Sequence, residues 1–291
     1  MLRLEALSIG SAVPRPAFDG TSHSVFRRAC NVRTDDGELL ALLTNDLADS
    51  PHGIRVAAPA GFDFQTHVAA GRAVSCRAGI TRVAGSELSI DLSSARRWRG
   101  DVSRFSVDLA RPRSARAWVA AHKELDKTFL PDALPVQVMR AVPRLMEAVR
   151  ARCLHQTVHA FAPMIGCGEG LTPAGDDVLA GYLVGLWSAV GRDRQILMFL
   201  AALSGPIETA TQQTNDISRV YLKQAAHGFA GSHIVALARQ IAVGAAAARV
   251  RSATRRAMAA DASSGPAGVY GLLMGMTTWA PQVRRLKAER I

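Results

Sequence analysis

The feature that most restricts the fold of this chain is a change in sequence texture near Pro112. Before it, short runs of β-branched and apolar residues are broken about every 8 to 12 residues by Gly, Pro, Asp or Ser, which is typical of strands joined by tight turns. After it, long segments rich in Ala and Leu keep a helical period almost to the end. The sequence therefore predicts an α+β protein, in which an antiparallel β barrel or sandwich over residues 1–113 precedes a mainly helical domain over residues 114–291.

The same patterns predict the individual elements. The predicted strands are residues 4–9, 24–32, 38–44, 54–57, 73–77, 80–83, 88–92 and 102–107. The predicted helices are residues 115–127, 135–160, 173–190, 192–203, 208–229, 233–251 or beyond, and 265–279. Two of these helices carry glycines at four-residue spacing, Gly181 with Gly185 and Gly271 with Gly275. Because glycine inside a helix costs up to about 1 kcal/mol relative to alanine, the pairs indicate close contact of helices or of a ligand, and packing is the simpler interpretation.

The hydrophobic content and the cysteine spacing predict a protein that folds in a reducing compartment. A chain of 291 residues that is 48% hydrophobic can bury a large core without disulfides. Its four cysteines are far apart and form no Cys-x-x-Cys pair, so neither a zinc site nor a disulfide framework is predicted. The first residues carry charges where a secretory signal would be apolar, and the longest apolar run, 178–190, is shorter than the ~20 residues that span a bilayer. We expect a cytoplasmic protein that does not associate with a membrane.

The formal charge of +11 raises nucleic acid as a partner, but the distribution of that charge argues against it. Only four of the 35 basic residues are lysine, the arginines are scattered, and aromatic residues make up 5% of the chain. No stacking or groove-reading module accompanies the charge. The arginine clusters are better explained by solvated helix faces or by an acidic partner protein.

A glycine-rich turn, residues 166–177, is the most informative motif. Gly166, Gly168 and Gly170 alternate, and glycine allows the backbone to turn its N–H groups toward one point. Thr172 and Pro173 then have the pattern of an N-cap and a first helical residue. The free helix start that follows suits a phosphate or carboxylate. The predicted substrate-binding residues of the turn are Gly166, Gly168, Gly170, Leu171, Thr172 and Gly175.

Asp176 and Asp177 fall in the first turn of the predicted helix and allow two interpretations. In one, they are catalytic: an aspartate accepts a hydrogen bond from a substrate amide, acts as a base, or binds Mg²⁺ together with a phosphate. In the other, they only stabilise the helix start and pair with arginines. The crowding of Gly, Thr, Pro and two Asp into twelve residues favours a functional site. No cofactor is predicted, apart from this one possible use of Mg²⁺.

The turn belongs to neither common class of nucleotide loop. No lysine follows its last glycine, as a Walker P-loop requires, and the preceding segment, 151–160, is predicted to be helical. Both the P-loop and the dinucleotide fingerprint follow a buried strand. We therefore predict neither ATP hydrolysis nor NAD binding.

Two further groups of residues could complete a pocket with the turn. Thr211, Thr214 and Ser218 would lie on one face of the helix predicted over 208–229, although such a stripe can also face water. Ser264-Gly265 begins another glycine-bearing helix start, which could present N–H groups or merely cap its helix.

Other reactive side chains are weaker candidates. His155 and His159 have i, i+4 spacing, but no His-Glu-x-x-His pattern is present, and no metal site is predicted. Cys167 has no histidine beside it in sequence, which disfavours a nucleophilic role. His23 belongs to the strand-rich half and could be contributed to a site across the domain interface.

The run Gly168-Glu-Gly-Leu-Thr-Pro-Ala-Gly-Asp-Asp177, followed by an apolar helix, resembles the signature of the AllH-like family. This family includes a subunit associated with oxamate carbamoyltransferase in anaerobic allantoin breakdown. Weaker similarities lie in Thr214 and Ser218 with Ala226-His-Gly228, in Ser264-Gly265 ahead of Gly271, and in His23-Ser-Val-Phe26 with Ala29-Cys-Asn31. Together the similarities span most of the chain.

The resemblance implies carbamoyl transfer between carbamoyl phosphate and oxamate, or a related small anionic amide, in purine nitrogen catabolism and with separate partner subunits. The turn would then hold the anion, and Asp176 or Asp177 would orient or deprotonate the amide nitrogen. Two alternatives stay open. The chain could be a non-catalytic metabolite-binding or scaffolding subunit, or the turn could be purely architectural with the basic C-terminal tail as an interaction surface.

Overall fold

The computed structural model describes residues 2–14, 17–129, 133–259 and 264–280. The chain divides into two compact units, Met1–Gly100 and Asp101–Ile291. The first unit is built from strands and the second from helices, which confirms the predicted α+β class. The basic tail, including residues 284–290, lies outside the described residues.

In the described part of the first unit, nine strands form one sheet. They are β1 (Leu2–Gly10), β2 (Phe18–Val25), β3 (Ala29–Thr34), β4 (Leu39–Thr44), β5 (Gly53–Val56), β6 (Ala73–Arg77), β7 (Ile80–Val83), β8 (Leu88–Asp91) and β9 (Arg96–Trp98). Their order is β5-β4-β3-β2-β6-β7-β8-β1-β9, and an additional β5–β1 pairing closes eight of them into a barrel. Most pairings are antiparallel, whereas β4–β5, β1–β8 and β1–β9 are parallel. The prediction of a barrel is confirmed.

The barrel closes around alternating apolar side chains. Leu4 and Ala6 of β1 are buried while their neighbours on the strand are exposed, as expected where one face of a strand meets the core. Every residue of β4 is buried. Leu4, Ala6, Leu40 and Leu42 pack with Val32 and Ile54 into one continuous core. Burial on the barrel's inner side therefore explains the strand pattern in the sequence.

Two predicted strands are wrong. Residues 24–32 do not form one strand, because the chain turns back between β2 and β3 and the Phe26 N–H donates to the carbonyl of Ala29 at 2.7 Å. This turn carries Arg27 and Arg28 and has no glycine or proline to mark it. Residues 102–107 are irregular and belong to the second unit, whereas the arginine-rich β9 was not predicted.

The described part of the second unit contains nine α-helices. They are α1 (Pro112–Leu125), α2 (Val136–Arg150), α3 (Leu154–Phe161), α4 (Ala174–Ala189), α5 (Arg194–Ala210), α6 (Asp216–Ala226), α7 (Ser232–Ala242), α8 (Ala247–Met258) and α9 (Ser264–Thr277). Within the described residues, no helix combines the length and apolar character needed to cross a membrane.

Two long predicted helices are interrupted. The helix predicted over 135–160 breaks between α2 and α3, where Arg152 takes a left-handed φ of 51°. The helix predicted over 233–251 breaks between α7 and α8, where Gly244 has φ 62°. A single left-handed residue reverses the local chain direction without changing the apolar periodicity, which explains why the pattern alone predicted continuous helices.

Helices α4 and α9 pack with their backbones in contact. A Cβ atom on Gly181 would lie 2.0 Å from the carbonyl oxygen of Gly268, and one on Gly271 would lie 2.0 Å from that of Val178. Real Cβ atoms do not approach this closely, so only glycine fits at these positions. The predicted packing role of the spaced glycines is confirmed.

The contacts also give the relative direction of α4 and α9. Val178 meets Gly271, and one turn later Tyr182 meets Gly275. Because the contact positions advance together along both chains, the two helices run parallel. Their N-terminal ends therefore lie side by side, with the Asp177 carbonyl oxygen 3.8 Å from the Cβ position of Gly268.

Candidate functional site

The glycine turn takes the left-handed conformations that its sequence predicts. Gly166, Gly168 and Gly170 have φ angles of 67°, 118° and 98°. A non-glycine residue in such a conformation is strained by roughly 1–2 kcal/mol. Gly170 has no atom within 4 Å of its Cβ position, so its requirement for glycine is purely conformational.

The helix start differs by one residue from the prediction. Pro173, with φ −54° and ψ 139°, is the N-cap, α4 begins at Ala174, and no side chain caps the helix. The Pro173 carbonyl accepts the N–H groups of Asp176 at 3.0 Å and Asp177 at 3.2 Å. Thr172 is thus not the N-cap, because the extended ψ of Pro173 places the first helical residue after the proline.

Several N–H groups of the turn are already used. Gly166 donates to the Asp176 carboxylate, Cys167 to the carbonyl of Met164, and Gly175 to the carbonyl of Cys167. The N–H groups of residues 168–172 and of Ala174 have no hydrogen-bond acceptor in the described part of the chain. Residues 168–171 are exposed. These N–H groups lie at a helix N-terminus, where they can donate hydrogen bonds to an anion.

Asp176 ties the turn to a distant segment. Its side chain is 2% exposed, one carboxylate oxygen accepts the Gly166 N–H at 2.8 Å, and the other accepts the hydroxyl of Thr214. Burial raises the pKa of Asp176, while the hydrogen bonds from Thr214 and Gly166 act in the opposite direction. The carboxylate therefore holds the turn in place with both of its oxygens.

Thr211, Thr214 and Ser218 do not lie on one face of a single helix, as the sequence predicted. The helix predicted over 208–229 is wrong, because α5 ends at Ala210, a short 3-10 helix follows, and Thr214 is extended with φ −122° and ψ 175°. Asn215 then caps α6 by accepting the Ser218 N–H at 3.0 Å. Thr214 bonds Asp176 at this junction, the Ser218 hydroxyl is buried without a hydrogen-bond partner among the described residues, and the Thr211 hydroxyl bonds to the Glu208 carbonyl.

Asp177 is the more accessible of the two aspartates. It lies in the first turn of α4 and is half-buried, in contrast to the buried Asp176. Its backbone carbonyl faces α9 at Gly268. A catalytic role for either aspartate stays a prediction.

The second predicted helix start lies beside the first. Ser264 is the first residue of α9, and its side chain is outside the described residues. Gly265 is buried, and a Cβ atom there would lie 2.1 Å from the Met258 carbonyl oxygen, so this glycine packs against α8. Because α4 and α9 are parallel, their helix dipoles place roughly half a positive charge each at the same end of the pair.

The other reactive side chains lie in the turn itself, on α3 and in the barrel. Burial, and then the charge of Asp176, raise the pKa of Cys167, so its thiol is protonated and a poor nucleophile. The rings of His155 and His159 lie 6.0 Å apart on α3, but the described residues contain no group of three His, Cys, Asp or Glu able to hold a metal. In the barrel, His23 hydrogen-bonds Ser24 at 3.1 Å, and its contribution to a site stays a prediction.

Sequence reasoning missed two residues that shape the junction before α6. Asn215 caps that helix, a role that its position ahead of Asp-Ile-Ser would have signalled. Arg219 donates to the carbonyl of Thr211 at 3.2 Å and pairs with Asp216 at 3.0 Å. An arginine that binds a carbonyl eight residues earlier has no local sequence signal.

Comparison with models of known protein families gave two matches. The model described as oxamate carbamoyltransferase subunit AllH matches residues 164–276, and the AllH family N-terminal domain matches residues 5–97. The first match contains the glycine turn, α4, all but the last residue of α9 and the Thr214 junction. Searches of curated proteins and of solved structures gave no significant match.

Proposed function

The chain belongs to the AllH family, and on this premise we propose that it is a subunit of a carbamoyltransferase-type enzyme whose helical unit binds a small anionic substrate at the glycine turn. One observation carries the proposal: unused N–H donors in residues 168–174 lie at the adjoining N-termini of the parallel helices α4 and α9. Partner subunits are expected, because the family is described as one subunit of the enzyme.

The chemistry of the donors supports a small anion. Backbone N–H groups hold carboxylate or phosphate oxygens at about 2.7–3.2 Å, and helix dipoles add attraction without a basic side chain. Oxamate offers a carboxylate, and carbamoyl phosphate offers a phosphate. Either anion suits a site made of backbone, and the proposal places the reaction in purine nitrogen catabolism through allantoin.

The proposed reaction uses the two aspartates differently. Asp176 positions the turn, since both of its oxygens already accept hydrogen bonds. Asp177 takes a proton from the amide nitrogen, which then forms a bond to the carbamoyl carbon while the bond from that carbon to the phosphate oxygen breaks. Phosphate leaves with the electron pair. A mechanism in which the two aspartates share Mg²⁺ has less support, because the metal ion would compete with the hydrogen bonds that Asp176 already accepts.

A second candidate function is a non-catalytic metabolite-binding subunit. The occupied carboxylate of Asp176 and the protonated thiol of Cys167 favour it, because they leave few reactive groups beside the turn. In this version the chain binds the anion, and a partner subunit supplies the chemistry.

Gly170→Ala tests anion binding. It strains an exposed φ of 98° without any steric contact, so it displaces the N–H groups while leaving packing intact. Calorimetric titration with oxamate and with phosphate should show a loss of affinity of roughly 5- to 30-fold, from about 1–2 kcal/mol of strain. Gly37→Ala is the matched control, because Gly37 has φ 87°, lies in the barrel and also has no atom within 4 Å. Equal affinities in both variants would refute the site.

Asp177→Asn tests catalysis once binding is established. The complex reconstituted with its partner subunits should retain oxamate affinity and lose most of its rate of carbamoyl transfer, because asparagine cannot accept the proton. An unchanged rate would remove Asp177 from the mechanism. Together with a loss of affinity in Gly170→Ala, that result would favour the metabolite-binding subunit.

A further inference from the structure

The helical unit holds a cavity of about 530 Å³ that the proposed function does not use. Its walls are the loop 106–111, the end of α4 with Gly191 and Arg192, and the end of α9 with Met276, Trp279 and Ala280. α4 is 16 residues long and rises about 1.5 Å per residue, so roughly 24 Å separates this cavity from the glycine turn at the other end. The two are distinct sites.

The cavity has an apolar floor. Val107, Leu109 and Met276 line it and are at most 4% exposed. The ring of Trp279, which also lines the cavity, is only partly buried, and each square ångström of it that a ligand removes from water contributes about 25 cal/mol. The volume lies within the roughly 300–1,000 Å³ range of small-molecule sites.

Arg192 places a positive charge at the wall of the cavity. Arg192 is exposed and pairs with no carboxylate in the described part of the chain. Arg111 also lines the cavity, but its guanidinium bonds Asp108 at 3.1 Å, so these two charges offset each other. The remaining charge is that of Arg192, which attracts an anion.

Two residues of the wall have energetically unfavourable local features. The indole Nε1 of Trp279 is buried and has no acceptor among the described residues, which costs about 1–3 kcal/mol. Ser106 is held at φ 49°, a left-handed conformation unusual for serine, next to Val107, whose N–H donates to the Ser188 carbonyl at 2.7 Å. Strain of this kind concentrates at binding sites.

We propose that this cavity is a second binding site, for a small organic anion with an apolar body. The body packs against the partly exposed ring of Trp279, and a carboxylate or phosphate group binds Arg192. The site is independent of anion binding at the glycine turn.

The indole N–H resonance of Trp279 gives a direct test on the full chain. Trp279→Phe assigns that resonance by its loss, and the other indole signals serve as internal references. Titration with benzoate and, separately, with phenyl phosphate should shift the Trp279 signal, and whichever binds more tightly identifies the acidic group. Arg192→Gln should weaken binding of the preferred anion at least tenfold.

Arg194→Gln is the matched control, because Arg194 is exposed two residues further along and does not line the cavity. It should leave the affinity unchanged. The proposal is overturned if neither anion shifts the Trp279 resonance, if Arg192→Gln and Arg194→Gln have the same effect, or if uncharged benzyl alcohol binds as tightly as the anions.

Discussion

Gly271→Ala is the sharpest perturbation of the helix pair that forms the proposed anion site. A Cβ atom at this position would lie 2.0 Å from the Val178 carbonyl oxygen and 2.8 Å from the Tyr182 nitrogen. Both neighbours are backbone atoms of α4, so no side-chain rotation can relieve the contact. The helices must move apart before the methyl group fits.

The size of the effect follows from this geometry. Ordinary contact begins near 3.4 Å, so α9 must withdraw by more than 1 Å from a helix with which it is in close backbone contact. Overpacking of this kind lowers the free energy of unfolding by about 1–3 kcal/mol or more, whereas the better helix propensity of alanine raises it by up to about 1 kcal/mol. We expect the free energy of unfolding of the helical unit to fall by about 2 kcal/mol, which corresponds to a lowering of Tm by roughly 4–8 °C.

Gly268→Ala is the matched control within the same helix. Its Cβ atom would meet only the Asp177 carbonyl oxygen, at an ordinary 3.8 Å. The substitution should therefore be neutral or stabilise the fold by up to about 1 kcal/mol. Urea unfolding followed by circular dichroism at 222 nm reports mainly on the helical unit and distinguishes the two variants.

The functional consequence is measured on the same proteins. Separation of α4 from α9 moves their N-termini apart, so phosphate and oxamate should bind Gly271→Ala more weakly than Gly268→Ala. The reasoning is refuted if Gly271→Ala unfolds at the wild-type urea concentration, or if the two substitutions change stability equally. In either case the backbones would not touch at Gly271.

Three further predictions follow from local features. Burial lowers the pKa of His52, whose Nδ1 lies 3.0 Å from the Ser50 Oγ in the barrel, to about 4. The stability that the neutral ring contributes is therefore complete above about pH 6.5 and falls by up to about 3 kcal/mol as the pH decreases toward 4. His52→Gln should reduce this acid dependence of the free energy of unfolding, measured by equilibrium unfolding. Asp176→Asn and Thr214→Val, combined in a double-mutant cycle by urea unfolding, should show coupling of about 1–3 kcal/mol, and strict additivity would mean that the hydrogen bond contributes nothing. Arg152→Gly should raise stability by up to about 1 kcal/mol, because glycine adopts φ 51° without strain, and a lowered Tm would contradict this.

Local pattern was sufficient for the fold class and for the position of the turn. Strand alternation before Pro112 and helical periodicity after it are local consequences of burial on one side of each element, and they predicted the barrel and most of the helices. The positive φ angles of Gly166, Gly168 and Gly170 also follow from glycine itself. The breaks at Arg152 and Thr214 carried no such signal, since neither residue type is a strong helix terminator.

The arrangement of the candidate site depended on contacts between residues far apart in the chain. The spaced glycines predicted close packing, but not that α4 and α9 meet each other, nor that they run parallel with their N-termini side by side. Likewise, Asp176 was predicted to face a substrate, while the fold buries its carboxylate against Thr214, 38 residues away in sequence. Sequence periodicity determines which face of a helix is buried, because it reflects the side chains of that helix alone. Which partner covers that face, and which donors are left for a ligand, is decided only when the whole core packs.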